Sequence, residues 1–176
     1  MCIMKKSLLA ILFILFTYLT FGQESLNVFD IARKGTVEQA IAIFKENPNA
    51  FKTLDKNGFT SLILACYRGN NEVARFLIEN DYQINDNTEM GSALMACIVK
   101  ENNEIAKLLI DKKADLNSTN NQGITALMYA VQFNNIEIIK LLLANNANKN
   151  LKDKSGKTAF EYATFTGNDE IINILK

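Results

Sequence analysis

Residues 125–143 read TALMYAVQFNNIEIIKLLL, and residues 92–110 read SALMACIVKENNEIAKLLI. Residues 60–78 (TSLILACYRGNNEVARFLI) and 158–175 (TAFEYATFTGNDEIINIL) complete a set of four. Aligned on Leu62, Leu94, Leu127 and Phe160, they are spaced 32, 33 and 33 residues apart. A fixed period in this range marks a repeat architecture. An earlier copy fits on Val28, 34 residues before Leu62, with Ile31, Ala32, Gly35 and Glu38 at the matching offsets. The units run approximately over 24–54, 55–86, 87–119, 120–152 and 153–176, so that only the N-terminal segment lies outside them.

Each unit encodes the same pair of helices. A first helix of about two turns runs from the anchor towards the position seven residues on. Small residues three and four after the anchor, such as Ala65 and Cys66, let the next helix approach closely. Gly35, Gly69 and Gly167 are placed to end that helix in a left-handed conformation. Glu101 and Asn134 stand there in units three and four; Asn tolerates this conformation and Glu does so poorly. Thr36, Asn70, Asn102, Asn135 and Asn168 follow as N-caps of a second helix. Glu38, Glu72, Glu104, Glu137 and Glu170 come two residues later, where a carboxylate meets the positive end of the helix dipole. That structural role accounts for the recurring glutamate without catalysis. The second helix carries an apolar stripe, Ile105, Leu108, Leu109 and Ile110 in unit three and Ile138, Ile139, Leu141, Leu142 and Leu143 in unit four. No single helix pair can hide such a stripe, whereas stacked pairs can.

The period, the T-x-L start, the small pair, the Gly, the Glu and the Leu-Leu run together resemble ankyrin repeats. The connectors agree. DKNGFT at 55–60, NNQGIT at 120–125 and DKSGKT at 153–158 resemble that family's D-x-x-G-x-T hairpin, with Gly58, Gly123 or Gly156 supplying the special backbone angle. Ala114-Asp115-Leu116-Asn117 resembles its A-D-hydrophobic-N ending. The resemblance implies an all-α solenoid of about five stacked helix-turn-helix units with hairpin connectors.

Departures from the pattern carry expectations of their own. Ile63, Met95, Met128 and Glu161 stand where the family has His, so the hydrogen bonds that His makes between neighbouring turns are expected to be missing. Unit three has NTEMGS at 87–92, with Met90 in place of the hairpin Gly, so that turn should differ. Unit one, with Asn47-Pro48-Asn49 before Ala50, reads as an N-terminal cap. Unit five ends at Lys176 within its second helix, and polar Glu161, Thr164 and Thr166 suit a solvent-facing C-terminal cap.

The segment 1–22 has a different character. Lys5 and Lys6 precede Leu8–Phe21, fourteen residues without a charge, and Thr20-Phe21-Gly22 offers a small-x-small cleavage site before Gln23. This is the pattern of a secretory signal peptide. The run is shorter than the roughly 20 residues a spanning helix needs. Cleavage would leave a domain over 23–176 with 17 basic and 19 acidic residues, a charge of −2. The expectation is export to a bacterial periplasm or beyond; the alternative is an uncleaved inner-membrane anchor.

Composition narrows the chemistry. Lys+Arg and Asp+Glu are both 19 in the 176-residue chain, so no basic surplus exists to neutralise nucleic-acid phosphates. There is no His, which removes His-based triads and most zinc sites. No nucleotide, hydrolase or metalloprotease motif occurs. DKNGFT lacks the alternating oxygen ligands and terminal Glu of a calcium loop. Cys66 and Cys97 could join in an oxidising compartment. Adjacent helix axes lie about 8–10 Å apart, however, which favours two buried thiols over a disulfide. The expectation is no enzyme, no cofactor and no metal.

What remains is surface. The resemblance implies protein binding through the hairpin tips and the exposed side of the first helices, which line a concave face. The fifth and sixth positions after each anchor should point there: Arg33 and Lys34, Tyr67 and Arg68, Val99 and Lys100, Gln132 and Phe133, and finally Phe165 with Thr166. The hairpin tips add Lys56, Asn57 and Phe59, then Asn121, Gln122 and Ile124, and then Lys154. Tyr67, Phe133 and Phe165 are candidate anchors, because aromatics and Arg are enriched at binding hot spots; the alternative is that they pack between units. The partner is expected to be a protein. A membrane-tethered scaffold and an inhibitor or immunity protein that occludes an enzyme or toxin are the alternatives.

Overall fold

The computed structural model describes residues 27–176, and the expected leader over 1–22 lies outside the described residues. Five helix pairs follow one another: α1 (Val28–Lys34) with α2 (Val37–Glu46), α3 (Ser61–Arg68) with α4 (Asn71–Glu79), α5 (Ala93–Val99) with α6 (Asn103–Asp111), α7 (Ala126–Gln132) with α8 (Ile136–Ala144), and α9 (Ala159–Thr166) with α10 (Asp169–Leu175). First helices pack on first helices and second helices on second helices, giving two layers. No helix among the described residues is long and apolar enough to cross a membrane.

The core is the seam between units. The anchors Leu62, Leu94 and Leu127 are each 1% exposed, and the small residues Ala65, Cys66, Cys97 and Ala130 are closed off completely. The small side chains let successive first helices meet, while Ile105, Leu109, Ile138 and Leu142 fill the space beneath. In the first and last of the described units the anchors are less covered: Val28 is only half-buried, and Phe160 is exposed. Unit one is fastened by an aromatic group instead. Phe44 and Phe51 meet Tyr82 edge-on with centroids 5.9 and 6.0 Å away, and the Tyr82 hydroxyl donates to the Pro48 carbonyl.

The caps occupy their expected places, with two refinements. Thr36, Asn102, Asn135 and Asn168 accept N–H bonds from the first turns of their second helices. Asn70 does not; its amide donates instead to the carbonyls of Ile31 and Gly35 in the preceding unit, at 3.1 and 2.9 Å. Gly69 and Gly167 are left-handed, and so are Glu101 (φ 55°) and Asn134 (φ 52°). Gly35 is not: it is extended at φ −80°, ψ 179°, which corrects the expectation for unit one. Space explains this glycine, since a Cβ would stand 2.6 Å from Ile31 Cα.

The capping asparagines also tie units together. Asn102 donates to Asn71 Oδ1 at 2.6 Å, and Asn135 donates to Asn103 Oδ1 at 2.7 Å. Alongside runs a ladder of ion pairs in which Arg75, Lys107 and Lys140 reach Glu104, Glu137 and Glu170 of the next unit. The recurring glutamate therefore bridges repeats as well as facing a helix dipole. Exposed pairs of this kind contribute little compared with the buried seam.

The hairpins form a second edge. The carboxylate or amide oxygen of Asp55, Asn120 and Asp153 accepts two N–H bonds within its own turn. Neighbouring tips join through the backbone: Asn121 N–H donates to the Glu89 carbonyl at 2.8 Å, and Lys154 N–H to the Gln122 carbonyl at 2.9 Å. The hairpin of unit three differs, as expected from Met90. Strands β1 (Asn87–Thr88) and β2 (Gly91–Ser92) pair Asn87 with Ser92, whereas the other bridged turns span Leu54 to Thr60 and Thr119 to Thr125. That turn is one residue shorter, which accounts for the spacing of 32, and its positive φ (113°) falls on Gly91.

Two outcomes should follow. Gly123 and Gly156 share φ near 80°, but a Cβ on Gly123 would lie 2.9 Å from Asp153 Cα and Lys154 N, whereas Gly156 faces open space. Gly156→Ala should cost about 1–2 kcal/mol from conformation alone. Gly123→Ala should cost a further 1–3 kcal/mol or so from overpacking, as read by urea denaturation. Glu101→Gly removes left-handed strain at an exposed site and should stabilise by roughly 0.5–1 kcal/mol in the same assay.

Candidate protein-binding face

The first helices are seven or eight residues long. Their short length matters here, because the fifth and sixth residues fall at the last turn, clear of the seam. Lys34, Arg68, Lys100 and Gln132 are exposed, and Val99 is half-buried. Tyr67, Phe133 and Phe165 are 45%, 41% and 75% exposed, so none of the three is buried between units. Each has a neighbour that orients it. The ammonium of Lys100 lies 4.2 Å from the centre of the Tyr67 ring, and that of Lys157 lies 4.7 Å from the Phe165 ring. Phe133 leans on Tyr129 with centroids 6.5 Å apart.

Of the hairpin residues, Lys56, Asn57, Asn121, Gln122 and Lys154 stand out at the tips. Ile124 does not, and its expected place on the surface is corrected. It is 8% exposed and belongs to the core, because the turn folds the residue before the N-cap back towards the helices. Phe59 holds the same position in unit two and is half-buried against the core, with one face free. Arg33 is committed internally: its guanidinium lies 2.6 Å from Asp55 Oδ2, a side chain only 3% exposed, and 3.3 Å from Asp30.

Arg33, Asn57, Phe59, Tyr67, Arg68 and Val99 line one cleft of about 500 Å³ between the second and third units. Met90, Met95, Ala96 and Tyr129 complete it and were not recognised from the sequence. The cleft exists because unit three lacks two side chains. The residue before the N-cap is Phe59, Ile124 or Lys157 elsewhere and Gly91 here. The second position after the anchor is Leu64, Tyr129 or Tyr162 in units two, four and five and Ala96 here. Comparing those two columns across the units is the signal that would have found it. Lys34, Lys56, Lys100, Asn121, Gln122, Ile124, Gln132, Phe133, Lys154 and Phe165 do not line it.

The tyrosines at that second position also brace the hairpins. Tyr129 Oη accepts from Asn120 at 2.9 Å, and the Tyr162 hydroxyl donates to Asp153 Oδ2 at 2.6 Å. The Tyr162 hydroxyl and the N–H groups of Lys157 and Ser155 hold the Asp153 carboxyl down at about 2, against the opposing effect of burial. Burial, then the Asp153 carboxylate, push the Tyr162 phenol up to about 12. At the His position of the family, Glu161 Oε2 accepts the Thr158 N–H at 2.7 Å and Met128 sulfur lies 3.5 Å from the Thr125 N–H, so both act within their own turns.

Cys66 and Cys97 are free, buried thiols. Burial pushes the Cys97 thiol well up, and the Cys66 thiol beside it adds to the shift, so Cys97 does not favour a reactive thiolate. No group of three or more metal-ligating side chains is gathered among the described residues.

The family model described as ankyrin repeats (3 copies) matches residues 28–120 and 94–176. The chain belongs to the ankyrin-repeat family. A search of curated proteins finds none that matches the sequence. Ankyrin repeats are protein–protein interaction modules and typically non-enzymatic, and this ankyrin face carries aromatic rings, cations and an apolar recess.

The brace at Asp153 has a measurable pH signature. A carboxyl held at about 2 stabilises the folded chain above its ordinary 3.8, and that contribution is lost as pH falls between those values. Asp153→Asn should lower the melting temperature at pH 7 and shrink its drop between pH 4 and about 2, followed by circular dichroism.

Proposed function

We propose that this ankyrin-repeat chain acts outside the cytoplasm as a non-enzymatic binding module, holding a protein partner against its concave face. The observation that carries the reading is the set Tyr67, Phe133 and Phe165, exposed at the fifth or sixth position of units two, four and five, with Lys100 beside Tyr67 and Lys157 beside Phe165. Exposed aromatics with neighbouring cations supply hot-spot area at little conformational cost. The charged n-region Lys5-Lys6 and the apolar run Leu8–Phe21 support export to a periplasm or beyond, with Gly22 as the cleavage point. A partner held in this way could be scaffolded or occluded, and the face serves either purpose.

The full chain, immobilised and exposed to extract from its native cells, should retain a protein that a Tyr67→Ala, Phe133→Ala double variant loses. Because both side chains are exposed, helicity and melting temperature should stay nearly constant. Retention by the folded double variant would place the binding site elsewhere. N-terminal sequencing of the protein from fractionated cells should find a start at Gln23; an intact Met1 in the membrane fraction would support a tether instead.

A further inference from the structure

We propose that the cleft at unit three is the anchor pocket of this face, and that it takes one large apolar side chain from an extended, acidic peptide segment of the partner. The proposal rests on the protein-binding reading of the concave face.

Three observations converge. The recess is built by omission, since Gly91 and Ala96 stand where neighbouring units place bulky side chains. Its volume of about 500 Å³ lies within the roughly 300–1,000 Å³ range of binding pockets. Its walls are mainly apolar, with Phe59, Ile63, Met95 and Tyr129 in the lining and Arg33, Asp55 and Arg68 beside them, so an aliphatic or aromatic side chain is what it can desolvate favourably.

Shape selects an extended occupant. A second depression, between the hairpins at Leu54 and Thr88, shares Asn57, Phe59 and Met90 with the first. The two adjoin, giving a path from the helix ends to the hairpin tips; Asp86 and Glu89 line its hairpin end, so the segment's acids belong beside the inserted side chain at the cleft and not at the tips. Leu54 and Met90, 57% and 64% exposed, stand along it as apolar contacts that none of the described residues covers.

Charge selects an acidic one. The chain as a whole is balanced, but its charges are segregated. The fifth and sixth positions of the five units carry Arg33, Lys34, Arg68 and Lys100 and no acid. Arg33 is neutralised by Asp55 and Asp30. Arg68 and Lys100 form no ion pair among the described residues; Arg68 lines the cleft, and Lys100 lies against the Tyr67 ring that forms part of its wall. The recurring glutamates lie on the second helices, and three of them are paired with cations there. A carboxylate beside the inserted side chain would meet two available cations, and such complementarity sets which partner is accepted.

The test uses the full chain and labelled nonapeptides read by fluorescence anisotropy. One peptide carries a central Leu-Phe pair flanked by acids; a second keeps the acids around Gly-Ser; a third keeps Leu-Phe between lysines; a single-stranded oligonucleotide is the fourth probe. The first should bind about tenfold or more tighter than each of the others. Ala96→Tyr fills the cleft with the side chain that units four and five already hold at this position, so the fold should persist and binding should fall about tenfold. Should that variant unfold, Arg68→Glu with Lys100→Glu alters only exposed side chains and should reverse the preference towards the basic peptide. Equal binding of the two acidic peptides, tighter binding of the oligonucleotide, or undiminished binding by folded Ala96→Tyr would overturn the assignment. If no peptide binds while capture from extract still depends on Tyr67 and Phe133, the acidic anchor falls and the binding face stands. If capture is indifferent to Tyr67 and Phe133, the face itself falls.

Discussion

Each helix pair presents an apolar stripe that only the next pair can cover, and the remainder of the molecule is arranged around that dependence. Leu94, Ile98, Ile105 and Leu109 belong to one unit, yet they are buried because units on both sides close over them. Burial of each such side chain stabilises by roughly 1.5–3 kcal/mol, several times what an exposed ion pair contributes. The seam therefore sets stability, and the polar ladders along it set register. The asparagines at the helix starts and the backbone bonds between hairpin tips fix how far one unit is displaced from the next.

That division of labour leaves the concave face free to vary. Residues at the ends of the first helices contribute little to the seam, so their identity can change without loss of the stack. Unit three shows how far this goes. It has a shorter hairpin, a glycine before its N-cap and an alanine where units two, four and five have leucine or tyrosine, yet its anchor Leu94 is as buried as Leu62 and Leu127. Removing side chains on the concave side opened a recess without thinning the core beneath it. Braces elsewhere show the opposite choice. Units four and five spend the same position on tyrosines that hold the hairpins through Asn120 and Asp153, and unit two braces Asp55 with Arg33 from unit one.

Much of this was legible in the sequence because it is local. An Asn or Thr cap bonds to a backbone group two or three residues away, and an Asp-x-x-Gly turn closes on itself, so residue type and offset suffice. The departures were legible for the same reason: Met90 announced an altered turn, and Glu101 a strained helix end. The surface was read less completely. Ile124 was placed outside although it is buried, because a hairpin residue's direction depends on how the turn leans on the helices behind it. Gly35 was assigned a left-handed angle, but its role is to leave room for Ile31, a contact that helix periodicity alone does not reveal. The glutamate ladder was seen as a helix-start signal; its second role needs the neighbouring unit's cation within reach.

The sequence by itself determined the number of units, the order of their helices, the caps and turns that bound them, and the row of aromatic and basic residues at the helix ends. These follow from periodicity and short-range hydrogen bonding, which act within a few residues along the chain. Tertiary structure alone decided which of those surface residues meet. The cleft gathers side chains from four successive units, and its volume is the difference between what neighbouring repeats supply and what unit three withholds. A void of that kind belongs to no single segment. It appears only when stacking brings Phe59, Met95 and Tyr129 around the space that Gly91 and Ala96 leave empty.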